Sequence, residues 1–446
     1  MQSIPALQAM IEPLRNAFTA GIPYISGTLC ASSDDLGLFY NTEKETRFLH
    51  FSTATVEDLD LLEKACDAAT FGRNDQNVLD ETYRKAGKLD ASNFASGFDI
   101  HVSGLPELIA NKLLDGQGNM RVRAERYKLN VYGKDAFFKA HKDTPRSEDM
   151  FGSLVLIFPT EHAGGSLVLR DASRTWTFDS AKALQDHSKT SSDSIPGIAY
   201  IAFYSDIEHE VTKVESGHRV TVTYNLYQVP CDPSSVSSGV TEKSEMKEIL
   251  SGLLNDSNFL PGGGYLGFGL QHEYPLGRLG TECHRKVYLQ RYRDLLKGPD
   301  AELMRAASQL SLDATLNLRY LYDNDHPKST NVLCNFIPPE SDKEIEDDYT
   351  IYLQYELDAP EISSRMLYDP EEKQHPWEAE WEERNGQEYL PNESKFWVNW
   401  VTPVANNKHR TTFMAYGNEP VLTHEYGQLC LVIQVGPFGK RQTASM

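Results

Sequence analysis

The spacing of apolar positions changes character twice along the chain. Near the start, Ile4, Leu7, Met10, Ile11 and Leu14 recur at helical spacing and predict an amphipathic helix. The same period returns over Val56–Ala69 and Leu105–Leu114, so residues 1–120 are expected to form a mostly helical support. The polar stretch between those two, FGRNDQNVLDETYRKAGKLD, reads as a surface loop with a short helix. From about residue 121 the runs become short and β-like. They are Arg126–Tyr132, Gly152–Phe158, Gly165–Arg170, Thr175–Phe178, Gly197–Tyr204, Glu210–Val214 and Val220–Tyr227, with turn signals between them. Strands this closely spaced, with no helix between them, predict an antiparallel sandwich or barrel over 121–230.

The Ser-rich stretch CDPSSVSSGVTEKSE then reads as a linker or long loop. Beyond it, residues 245–446 read as an α+β region. It opens with a helix and a glycine turn at Gly262–Gly264. Helical patterns follow at Arg285–Leu296 and Ala301–Leu310, and strand-like runs at Leu316–Tyr322, Thr350–Tyr355, Phe396–Val401 and Leu429–Val435. The whole chain is therefore expected to be α+β.

Composition narrows the function. The 446 residues are 40% hydrophobic, enough for a core. No stretch is long and apolar enough for a membrane span, and the N-terminus lacks the pattern of a secretory signal. An intracellular protein, cytoplasmic or nuclear, is expected. With 64 acidic against 43 basic residues the net charge is −21, which argues against a nucleic-acid partner. The acidic runs Asp342–Asp348 and Glu371–Glu383 read as solvated loops. The six cysteines form no C-x-x-C pair, so neither a zinc site nor a disulfide framework is expected. The N-x-S matches at Asn255 and Asn392 are read as chance.

The chemistry centres on His141-Lys142-Asp143. An H-x-D triplet arises by chance about once in a chain of this composition, so its setting matters. In an extended segment residues two apart face the same side, so His141 and Asp143 can reach one metal ion while Lys142 points away. His209 follows 68 residues later at the head of a strand. Two histidines and a carboxylate on one face of an octahedral metal suit a non-haem Fe(II) oxygenase. Ten residues past His209 stands Arg219, in a strand whose alternation puts Arg219, Thr221 and Thr223 on one face and Val220, Val222 and Tyr224 on the other. A buried arginine with a hydroxyl two residues on is well made to hold a carboxylate.

This order of residues resembles the 2-oxoglutarate/Fe(II) oxygenase superfamily, most closely its prolyl 4-hydroxylase-like branch. The lead NVYGKDAFFKAHKDTPR and the glycine pair of EHAGGSLVLR are similar to that branch. TFGRN and LDETYRKAGKLD resemble fungal members of the class. Asn130-Val131-Tyr132 also resembles the N-x-Y of AlkB-type demethylases. The resemblance spans about 121–230. It implies a double-stranded β-helix, or jelly roll, with Fe(II) at His141, Asp143 and His209. It also implies 2-oxoglutarate on Arg219 and Thr221, with Tyr132 and Asn130 as further contacts, and O2 as oxidant. The expected activity is hydroxylation of a C–H bond of a protein side chain or a small metabolite, with release of succinate and CO2. A nucleic-acid demethylase and a non-catalytic scaffold are the alternatives. The region 245–446 holds no second such motif and is expected to be non-catalytic.

Overall fold

Strand pairing among the β-like runs builds two antiparallel sheets. The computed structural model describes residues 4–73, 76–114, 120–171, 174–190, 195–230, 244–276, 286–321, 331–339, 341–345, 349–369, 384, 396–405, 408–415 and 421–441. One unit is Ile22–Val240; a second joins Met1–Gly21 to Thr241–Met446.

The elements that shape the first unit follow in chain order. They are β1 (Tyr24–Cys30), α1 (Val56–Ala65), β2 (Arg84–Lys85), β3 (Gly87–Asp90), α2 (Leu105–Leu113), β4 (Met120–Tyr132), β5 (Phe137–His141) and β6 (Met150–Ile157). After these come β7 (Leu167–Asp171), β8 (Arg174–Phe178), α3 (Ser180–Thr190), β9 (Gly197–Tyr204), β10 (Glu208–Val211) and β11 (Arg219–Pro230). The larger sheet runs β1–β9–β6–β11–β4–β3, with Asp67–Ala68 at its edge; the smaller runs β8–β7–β10–β5–β2. Every pairing in both is antiparallel.

The larger sheet separates two kinds of side chain, as period-two alternation requires. Leu129, Val131, Leu154, Leu156, Val220 and Val222 are buried in one apolar core with Leu105, Ile109 and Leu113 of α2. The opposite face carries Asn130, Tyr132, Ser153, Val155, Arg219, Thr221 and Thr223. These meet in register: Tyr132 opposite Arg219, Asn130 opposite Thr221 and Val155 opposite Thr223. The smaller sheet lies against this second face, touching it where Phe203 packs on His209 and Arg84 bonds Asn130.

Local chemistry sets the helices. Thr55 accepts a hydrogen bond from the Asp58 N–H, and the Asp58 carboxylate accepts from the Thr55 N–H. This capping box starts α1. Gly104, with φ +74, and Pro106 start α2.

The seven β-like runs over 126–227 all contain strands, with small shifts of boundary. Three expectations need correction. The described residues of 1–120 hold three α-helices but also many short strands, because β1 completes the edge of the larger sheet and β2 that of the smaller. The polar stretch after Phe71 is part of this, forming strands at Phe71–Arg73, Gln76–Val78, β2 and β3. A helix, α3, does interrupt the strand series; only Ser180 of it is buried, so its period is faint in the sequence. Thr350–Tyr355, read as a strand, lies in the helix Tyr349–Tyr355: Tyr349, Thr350 and Leu353 are buried while Ile351 and Tyr355 are exposed, and this packing overrides β propensity.

In the second unit, helices Ile4–Thr19, Glu245–Asn255 and Gly298–Gln309 share one core with an eight-stranded sheet. Part of the acidic run at 342–348 forms strand Ser341–Ile345. The rest of that run, the linker over 231–243, Cys231, Cys283, Glu371–Glu383 and Asn392 lie outside the described residues. Cys30, Cys66, Cys334 and Cys430 are free thiols. No described helix is long and apolar enough to cross a membrane. Leu156→Ala, at a fully buried position, should cost about 3 kcal/mol of unfolding free energy in urea, and Val102→Ala, 82% exposed, under about 0.5 kcal/mol.

Candidate metal centre

The pairing of β5 with β10 sets Phe138 opposite Val211 and His141 opposite His209. Between those two pairs β5 carries one residue more than β10, a β-bulge. In a regular ladder Ala140 would face His209; the bulge puts His141 there, and the two rings lie 4.2 Å apart between centroids. Asp143 follows just past the strand. Its N–H donates to the Ser205 carbonyl (3.1 Å), and its Oδ2 accepts from the Ser153 hydroxyl (2.5 Å). Its Oδ1 is thereby left 3.8 Å from His209 Nε2. Ligand atoms of His141, Asp143 and His209 all lie within 4.8 Å of one another, close enough to hold one metal ion.

Both imidazoles are oriented for this. His141 Nδ1 lies 2.8 Å from the Lys139 carbonyl, and His209 Nδ1 lies 2.9 Å from that of Ile207. A carbonyl only accepts, so each Nδ1 carries the proton and each Nε2 presents its lone pair. Burial, then the facing His209, hold the His141 pKa down at about 3, with Arg84 acting in the same direction. Its ring is therefore neutral and ready to ligate. Phe138 stacks on His141 at 3.6 Å, and Phe203 packs 4.6 Å from His209, so apolar rings flank the cluster.

Arg219 stands at the other end of the same face. It is 1% exposed, and burial lowers its pKa to about 10, so it remains charged at neutral pH. Its Nε donates to Ser180 Oγ (3.4 Å), and its guanidinium lies 5.6 Å from the Tyr132 ring centroid. Ser180 in turn donates to His162 Nε2 (3.2 Å), because His162 Nδ1 is committed to the Thr160 carbonyl (2.8 Å). Arg219 Nη2 is buried with no hydrogen-bond partner. Arg170 takes up Glu208 (3.9 Å) and Glu210 (2.6 Å), so Glu208 does not serve Arg219. The glycine pair has a local reason here. Gly164 and Gly165 have φ of +72 and +68, and a Cβ on Gly165 would lie 2.9 Å from Arg219 Cδ and 2.8 Å from Val214.

Between these two ends lies an accessible strip. Val155 is the one residue of β6 that is not buried, and Thr223, its partner across the ladder, is the one such position within 219–228 of β11. Thr221 and Tyr132 are buried beside Arg219, and the Thr221 hydroxyl donates to the Asn130 carbonyl (3.4 Å). The Asn130 side chain is engaged elsewhere, accepting from Arg84 Nη2 (2.8 Å) and donating to Thr223 Oγ1 (3.3 Å). Sequence reasoning missed Ser153, Ser180 and Arg84. A lone serine on the inward face of an apolar strand was a signal for Ser153; Ser180 and Arg84 carried none.

A second group of possible ligands is Asp60, Glu63 and His218. His218 Nε2 lies 3.2 and 3.0 Å from the two carboxylates, which ties the start of β11 to α1 as a structural contact. Gly165→Ala should destabilise the unit by about 2 kcal/mol in thermal unfolding, through crowding of Arg219 added to positive φ. Gly104→Ala meets open space and should cost only about 1 kcal/mol for its φ.

Comparison with known proteins comes to the same region. Residues 127–227 match the model of the 2OG-Fe(II) oxygenase superfamily. No curated protein matches. Among solved structures, a Pseudomonas putida prolyl-4-hydroxylase is 16% identical with a TM-score of 0.29, covering 50% of this chain and 98% of its own. A prolyl hydroxylase from Trichoplax adhaerens, solved with a hypoxia inducible factor peptide fragment, is 16% identical with a TM-score of 0.27, covering 50% and 91%. A 2OG-Fe(II) oxygenase family oxidoreductase from Burkholderia pseudomallei is 14% identical with a TM-score of 0.25, covering 49% and 90%. The chain thus carries, over 127–227, a domain of the 2OG-Fe(II) oxygenase superfamily, and is a dioxygenase-type oxidoreductase that works with Fe(II), 2-oxoglutarate and O2.

Proposed function

We propose that His141, Asp143 and His209 hold the iron, and that Arg219 holds the distal carboxylate of 2-oxoglutarate with Thr221 and Tyr132 beside it. The two sheets are then the halves of a double-stranded β-helix, and the substrate is a protein side chain, prolyl-like, or a small metabolite, hydroxylated at a C–H bond. The observation that carries this reading is Arg219: a buried guanidinium with an unpartnered Nη2, at the far end of an accessible strip from two imidazoles and a carboxylate. Leaving such a donor unmade is costly, and a carboxylate would satisfy it.

Fe(II) with 2-oxoglutarate and O2 supplies the oxidising chemistry, with succinate and CO2 as co-products. The residues arrange it. The Lys139 and Ile207 carbonyls fix the imidazole tautomers, and Ser153 turns Asp143 so that one oxygen faces the histidines. Phe138 and Phe203 exclude water from the ligand side. Ser180 and Gly165 aim Arg219 down the strip. The residues named here all lie inside one unit, whereas no comparable cluster occurs among the described residues of the other.

Anaerobically reconstituted Fe(II) protein given 2-oxoglutarate and then O2 should form succinate, and His209→Ala should not. Arg219→Ala should raise the KM for 2-oxoglutarate by roughly ten- to a hundredfold, the loss of one charge-assisted contact, while iron is retained. An unchanged KM would mean that another residue holds the co-substrate. Asp143→Ala should lower the iron bound per chain; full iron content would remove it from the site, and wild-type protein that binds no iron would sink the reading.

A further inference from the structure

Arg84 is a second guanidinium buried in the same unit, and the roles above leave its charge unanswered. It is 8% exposed. Its Nη1 donates to the Thr70 carbonyl (2.7 Å) and its Nη2 to Asn130 Oδ1 (2.8 Å), both neutral acceptors. Its Nε is buried with no partner, and no carboxylate pairs with it among the described residues. The guanidinium lies 4.3 Å from the Phe138 ring centroid, and that ring is the one stacked on His141. Arg84 is therefore one aromatic ring away from the metal cluster, and Asn130 links it to Thr223 on the accessible strip.

The charges around the site do not cancel. Fe(II), Asp143, Arg219 and dianionic 2-oxoglutarate together are neutral. Arg84 leaves one positive charge over, in an interior where an unbalanced charge is strongly disfavoured. Two further cations continue the excess outward. Arg146, three residues past Asp143, hydrogen-bonds the Tyr127 hydroxyl and lies 4.9 Å from that ring's centroid. Lys128, in register with Thr223, places Nζ 4.5 Å from the same ring. Neither has a carboxylate partner among the described residues, in a chain where acidic residues outnumber basic ones 64 to 43. Cations gathered without counter-ions on so acidic a molecule mark a place for an anion.

We propose that the substrate oxidised at this site carries a carboxylate close to the reacting carbon, received by Arg84, with Lys128 and Arg146 drawing it in. This rests on the reading of the triad as the iron site. It selects against neutral and basic substrates and leaves the identity of the oxidised C–H group open.

The test uses the anaerobic Fe(II)–2-oxoglutarate complex, whose visible charge-transfer band responds to a molecule seated beside the metal. It is titrated with N-acetylproline, N-acetylalanine and N-acetylleucine as free acids and as the corresponding amides. The acids should bind about tenfold or more tightly than the amides, the preference expected of a charge-assisted contact. Arg84→Met should lower that preference to about twofold, and Arg84→Lys should keep most of it, with the affinity for 2-oxoglutarate held within about threefold in both. Where Arg84→Met fails to fold, Arg146→Gln combined with Lys128→Gln should lower the preference and flatten its salt dependence. Equal binding of acids and amides, no binding of the acids, or a preference that survives these changes overturns the proposal. So does a loss of 2-oxoglutarate affinity in Arg84→Met as large as that in Arg219→Ala, which would assign Arg84 to the co-substrate. If the band never forms in wild-type protein, the iron-site reading itself has failed, and that outcome is told apart by the band alone.

Discussion

One extra residue in β5 is the feature on which the site turns. Side chains alternate across a strand, so a shift of one residue carries a group from one face to the other. The bulge between Phe138 and His141 uses that rule to keep Phe138 opposite Val211 and still bring His141 opposite His209. Both histidines then share one face, Phe138 lies flat against His141, and the chain leaves the strand where Asp143 can reach Ser153 and the Ser205 carbonyl. Each of these contacts is ordinary alone. They coincide because the pairing register sets them together.

Opposed to this ordering is an electrostatic burden. Burial lowers Arg219 from its usual pKa of 12.5 to about 10, a disfavour on the order of 3 kcal/mol toward its charged form. Arg84 adds a second guanidinium whose hydrogen-bond acceptors are both neutral. A fold built for stability alone would fill such positions with apolar side chains, which are often the more stable choice. The surrounding hydrophobic core, with Leu129, Val131, Leu154, Leu156 and Val222 all fully buried, supplies the excess stability that lets the unit carry them. An anion that binds the folded state returns part of the cost through mass action, about 2.7 kcal/mol at a concentration a hundred times its Kd.

What could be read from the residues alone depended on how local the signal was. The seven β-like runs were legible because each is short, alternating or continuously apolar, and bounded by turn residues. The gathering of His141, Asp143 and His209 was legible because His141 and Asp143 are two apart on an extended segment and His209, like Arg219, lies at a strand start. The inward placement of Arg219 and Thr221 followed from the same alternation, and so did the apolar role of Val220 and Val222. The bulge left no trace, since nothing in FFKAH marks the extra residue. The strands before residue 100 were hidden too; several are pieces of only two to four residues, too short to carry a measurable period. Thr350–Tyr355 misled in the opposite direction: its β-favouring residues fold as a helix where Tyr349 and Leu353 find a shared core. Ser180 and Arg84 take their importance only from partners distant in sequence.

The helix Ile4–Thr19 has a consequence for how the molecule comes into being. Its buried side chains, Leu7, Ile11, Leu14 and Phe18, belong to the core of the unit completed by residues after 241. The oxygenase unit is thus an insertion within the sequence of its neighbour. A ribosome releases the helix first and the strands that cover it last, so an apolar stripe must wait, unburied, while more than two hundred residues are made and fold. The domain that carries the chemistry can reach its native pairing during that wait, from contiguous chain. Its neighbour cannot, and a transcript cut short after the oxygenase unit would yield a protein with an ordered catalytic fold and a sticky leading segment, a natural mark for the chaperones and proteases that sort incomplete chains.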